Sequence, residues 1–300
     1  MLPVWGIRWV AAAAVGAAVA ATLSGCSGTG WCAPLEPGPS VTAEYAPSSS
    51  HLEALPGVTR VSARFWQPDD SHCVSRKYLR TAPWSADFTV HVRSGFTLEQ
   101  VRAVRAALGP SRGTVSAAAS GDLSAWELEL SNPSGATPSP TAAPLLVDDQ
   151  GYRVATEAAA LPGVTVAQVD GGSTTLRVRT PGSVKAATAW LRAHFDDPAD
   201  TWVYVDTSRN WSMSTGVTGQ FGASDTTIAT AARVVTDHPG VHRMEVGGTG
   251  VTAVVPTRRQ AQQVIAAFEQ TPRDQDGQAV SVWWPDGNGT EVSGVVGSRR

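Results

Sequence analysis

The chain has 300 residues, 42% of them hydrophobic and only 16% charged, with a formal net charge of −3. That is enough apolar material for two or three domains with buried cores. Lys and Arg form no run and no basic domain, which removes the electrostatic basis for nucleic-acid binding and for a polybasic membrane tether.

The first ten residues, MLPVWGIRWV, carry one charge, at Arg8, and an apolar run rich in Ala and Val follows from Trp9 to Leu23. The run is shorter than the roughly 20 residues a spanning helix needs. A basic start, a short apolar stretch and small residues at its end describe an export signal over 1–25. The run ends Leu23-Ser24-Gly25-Cys26. This resembles the lipobox of bacterial lipoproteins: an aliphatic residue, two small residues, then cysteine. The resemblance implies that Cys26 receives a diacylglycerol, that signal peptidase II cuts before it, and that the chain sits on the outer face of the membrane. Two acyl chains anchor stably where one does not, at about 0.8 kcal/mol per buried CH2.

Two further cysteines, Cys32 and Cys73, follow. In an oxidising compartment two leftover cysteines tend to pair, and we expect a Cys32–Cys73 disulfide. The alternatives are free thiols, or a reactive Cys73 in the polar run Asp69-Asp70-Ser71-His72-Cys73. His72 is a poor base for its sequence neighbour, and no CxxC pair supplies a zinc site.

Residues 26–47, rich in Gly, Pro and Ser, read as a lipidated N-terminus and flexible spacer. A first α+β domain is expected over 48–131. Within it Val61, Ala63 and Phe65, then Phe88, Val90 and Val92, alternate as half-buried strands. Leu98, Val101, Val104 and Leu108 follow helical spacing, and Trp126, Leu128 and Leu130 alternate again. Four prolines punctuate SNPSGATPSPTAAP, so 132–146 reads as a linker.

The second region, 147–300, divides into units at about 150–217 and 222–297. Leu55-Pro56-Gly57-Val58 recurs as Leu161-Pro162-Gly163-Val164 and as His238-Pro239-Gly240-Val241. Each copy sits where a helix should stop and a strand begin. In each later unit a glycine pair, Gly171-Gly172 or Gly247-Gly248, falls where a hairpin turns. Val184, Ala187, Leu191 and Phe195 make one helix face, and Ala261, Val264, Ile265 and Phe268 make another. Trp202–Val205, Val280–Trp284 and Val292–Val296 read as strands.

Such units predict an α+β class of repeated two-layer modules, with helices packed on antiparallel sheets. The order resembles the small modules called BON domains and, more loosely, ferredoxin-like folds.

No nucleophile elbow, P-loop, HExxH or dinucleotide fingerprint is present. The six histidines are scattered, and Asp196, Asp197 and Asp200 lack the spacing of a calcium loop. The reading is therefore no catalytic residue, no metal and no cofactor. The outward strand positions are richer: Arg60, Arg64, His91, Arg93, Glu127 and Glu129 in the first domain, Arg177 and Arg179 in the second. Arg177 and Arg179 lack an obvious partner on their own hairpin. Trp283 and Trp284 are adjacent, so on a strand one of them must leave the core. These four are the candidate binding residues. The function expected is a membrane-anchored, non-enzymatic binding or scaffolding module of the cell envelope, with an envelope protein or glycan as partner. The alternative is a ligand carrier or hydrolase with its site between modules.

Overall fold

A computed structural model describes residues 37–66, 83–109, 111–130, 148–170, 173–195, 200–206, 211–218, 222–271, 277–285 and 290–298. Cys26, Cys32 and Cys73 lie outside the described residues.

Three units share one order: helix, two strands, helix, two strands. Unit one is α1 (Pro39–Glu53), β1 (Val58–Trp66), β2 (Ser85–Val92), α2 (Leu98–Leu108), β3 (Arg112–Ala117) and β4 (Ala125–Leu130). Unit two is α3 (Asp148–Ala159), β5 (Val164–Asp170), β6 (Ser173–Val178), α4 (Val184–His194), β7 (Asp200–Asp206) and β8 (Trp211–Thr218). Unit three is α5 (Asp225–Asp237), β9 (Arg243–Gly247), β10 (Gly250–Val254), α6 (Arg258–Glu269), β11 (Ala279–Trp284) and β12 (Thr290–Val295).

All twelve strands join one sheet whose strand order is the chain order. Each pair made within a hairpin is antiparallel, and each pair spanned by a helix is parallel. The class is α+β, as expected, but the sheet is mixed: the antiparallel pairing holds for the six hairpins and parallel pairs join them. Crossovers of one hand, always stepping the same way across a sheet, set the five helices that span parallel pairs on the same face. The buried strand residues agree. Phe88, Val115, Leu128, Val169, Leu176, Val203, Met244, Val251 and Val282 all belong to one continuous core beneath the helices. Each such side chain contributes about 1.5–3 kcal/mol by leaving water.

The Pro-Gly turns work as the sequence suggested. Val58, Val164 and Val241 each donate a backbone N–H to the carbonyl three residues earlier, in Leu55, Leu161 and His238. Gly57 and Gly163 sit at φ +89° and +82°, which side chains disfavour. Each turn also receives the start of the unit's second helix. Thr97 caps α2 by accepting from Gln100 N, and Gln100 Oε1 accepts from Thr97 N at 2.8 Å. Thr257 caps α6 by accepting from Gln260 N, and its hydroxyl donates to Gln260 Oε1 at 3.0 Å.

Two boundaries differ from expectation. α1 begins at Pro39, inside the expected spacer. Proline is tolerated in a first helical turn, and Tyr45 ties the helix down by donating to Trp84 O at 2.7 Å and packing on Phe65 and Phe88. The regions expected on either side of 132–146 share one sheet, since β4 pairs with β5 through Trp126↔Ala167 and Leu128↔Val169. On the helix side Arg102 pairs with Asp149, and Tyr152 donates to Phe96 O at 3.0 Å and meets Trp126 edge-on. Arg192 and Asp225 bridge units two and three in the same manner.

Candidate functional site

Among the described residues the helices lie on one side and no secondary structure covers the other face of the sheet, whose alternate residues line up in rows. One row runs Arg60, His91, Ser116, Glu127, Gln168, Thr175, Trp202 and Gly216 across eight strands. A second runs Arg177, Tyr204, Ser214, Glu245, Thr252, Ser281 and Ser293. A third joins Arg243, Val254, Trp283 and Glu291.

At the unit-one end the row is polar and mutually paired. Arg60 Nη2 lies 2.9 Å from His91 Nε2. A guanidinium only donates, so Nε2 accepts and the imidazole proton sits on Nδ1. Burial lowers the His91 pKa, the Arg60 charge lowers it further, and Glu127 opposes both. Ser116 donates to Glu127 Oε1 at 3.4 Å. Serine, histidine and carboxylate thus share a row without forming a relay: the serine proton points at the acid, and Arg60 occupies His91 Nε2.

The face hollows where units two and three meet. Gly247, Gly250 and Ala279 are register partners on three adjacent strands, so no side chain longer than a methyl stands there. The hollow is a cleft of about 500 Å³. Trp202 and Tyr204 wall it from β7, and Ser214, Arg243, Glu245, Thr252 and Ser281 complete the rim. The Trp202 and Tyr204 rings lie 6.4 Å apart and within 31° of parallel, because residues two apart on a strand project side by side. Arg243 and Glu245 form an ion pair.

The structure sets two of the four candidate residues on the open face, and neither lines the cleft. Arg177 is the register partner of Tyr204 and pairs with Asp206 on β7 at 3.4 Å, a neighbouring-strand partner that the hairpin sequence did not disclose. Trp283 is 38% exposed on the open face, beside Val254. The other two lie elsewhere. Trp284 turns to the helix side and is 7% exposed, and Arg179 follows β6 at its exposed end. Trp202 and Tyr204 were missed, although their alternation with Val203 and Val205 was a usable signal for aromatics on an outward face.

Compared with known protein families, curated proteins and solved structures, the chain matches none.

A second concavity, of about 960 Å³, opens in the helix layer between α4 and α5. Small residues, among them Thr188, Ala189, Ala229 and Ala232, leave it open, with Lys185, Arg192 and Arg233 also lining it. Among the described residues no three of His, Cys, Asp and Glu gather as metal ligands, and no helix is long and apolar enough to cross a membrane.

Proposed function

We propose that the chain is an extracytoplasmic lipoprotein, held to the membrane by acyl chains on Cys26, that acts as a non-enzymatic binding or scaffolding module through the open face of its sheet. The observation that carries this reading is the one-sided architecture. The described helices serve a single core, while the opposite face presents rows of polar and aromatic side chains that the core does not use. The partner is an envelope protein or glycan. The test has two parts. Cys26→Ala should accumulate as uncut precursor and lose acyl labelling. A photo-crosslinker at Thr175 or Ser281, on the open face, should form adducts on intact cells, and one at Arg233, on the helix face, should not. Normal processing of the Cys26 variant sinks the anchor; equal labelling from both faces sinks the binding face.

The groove between α4 and α5 favours a second reading, a ligand carrier. Its walls come from two successive units, so a ligand there would lie between modules.

A further inference from the structure

We infer that the cleft beside Trp202 and Tyr204 binds a neutral oligosaccharide; this rests on the open-face reading and names its ligand class. Two neighbouring rings, 6.4 Å apart with their planes tilted by 31°, give adjacent π surfaces along the cleft wall. The faces of pyranose rings present polarised C–H groups, which the negative face of an aromatic ring attracts. The hollow over Gly247, Gly250 and Ala279 leaves room beside the rings for a sugar's thickness, and its 500 Å³ suits a short saccharide.

The rim supplies what sugar hydroxyls need. Thr252 and Ser281, the accessible hydroxyls of the lining, both donate and accept. Arg243 and Glu245 neutralise one another, so the cleft selects neither an anion nor a cation. A peptide fits poorly. Recognition of an extended peptide by strand addition needs a sheet edge, and β7 to β11 are interior strands paired on both sides. A shallow floor of backbone and one methyl also offers no deep apolar slot for an acyl chain.

The test is titration of the full chain with tetrasaccharides of glucose and of N-acetylglucosamine, followed by tryptophan fluorescence and calorimetry. Wild type should bind at least one of them. Trp202→Ala should weaken binding at least tenfold, and Trp202→Phe should stay within threefold of wild type. Ala279→Leu fills the floor from an exposed position and should also weaken binding at least tenfold, with an unchanged melting temperature. Trp283→Ala should bind as wild type does. The inference is overturned if wild type binds neither saccharide, or if both Trp202→Ala and Ala279→Leu, confirmed folded, bind as wild type. A peptide that competes at the cleft where sugars do not would also overturn it. Open-face cross-linking from Thr175 or Ser281 that persists without sugar binding discards the saccharide alone; loss of both discards the open-face reading with it.

Discussion

Gln100 Nε2 donates to the carbonyl oxygen of Pro56, 44 residues earlier, at 2.9 Å. One side chain therefore closes the cap of α2 and holds the turn that ends α1. Gln100→Ala removes both contacts, and we expect a loss of about 1–2 kcal/mol, read by urea denaturation. No change in midpoint would mean that water replaces both.

Gly57 separates backbone strain from crowding. An added Cβ there would meet Gln100 Nε2 at 3.0 Å and Phe96 at 3.1 Å; one at Gly95, φ +77°, would meet nothing within 4 Å. Both alanine variants carry the left-handed cost of about 1–2 kcal/mol. Gly57→Ala should lose more, and equal losses would show that the neighbours yield freely.

The two adjacent tryptophans should behave as opposites. Trp284→Ala empties a core position and should cost about 3–5 kcal/mol. Trp283→Ala, on the open face, should cost under about 1 kcal/mol. Chemical denaturation of both variants checks the pair, and similar losses would place Trp283 in the packed structure as well.

Acid should loosen the Arg60–His91 contact. The folded pKa of His91 is lowered from 6.5, chiefly by burial. The unfolded chain therefore binds the proton more readily. The contribution to stability is full above the unfolded value and is lost as pH falls through the folded one. Asp149 acts in a separate, lower window: the Arg102 hydrogen bond lowers its pKa from 3.8, so its contribution fades only as pH drops below that value. Melting temperatures from about pH 7.5 to about pH 5 should fall less steeply for His91→Gln than for wild type; parallel curves would exonerate His91.

A Cys32–Cys73 bridge, on residues outside the described ones, would stabilise by roughly 4 kcal/mol on the chain-entropy model. Non-reducing peptide mapping of the exported chain should recover the cross-linked pair. Two alkylated thiols would refute it.

Much of the architecture was readable wherever bulky residues kept a period. The alternation of Phe88, Val90 and Val92 marks β2, and Ala261, Val264, Ile265 and Phe268 mark the buried face of α6. β3 escaped because Gly113, Ser116 and Ala117 leave Val115 as its sole bulky apolar residue. Its glycine answers to packing: a Cβ at Gly113 would stand 2.5 Å from Leu108 of α2. The continuity of the sheet through β4 and β5 was hidden for another reason. A proline-rich connection reports its own local geometry, not what its two ends pair with. The open face was half visible for the same cause. Outward positions can be counted along one strand, which found Arg177 and Trp283. That Tyr204 stands beside Arg177, and that glycines hollow the floor near Trp202, follows only from register across strands.

Because strand order equals chain order, no strand is wedged between two that precede it. A duplicated helix and hairpin could therefore be spliced onto the series, or one removed from its end, without unthreading anything already in place. The topology fixes no length. Breadth of surface becomes a heritable quantity, gained or lost in whole increments by copying a stretch of gene.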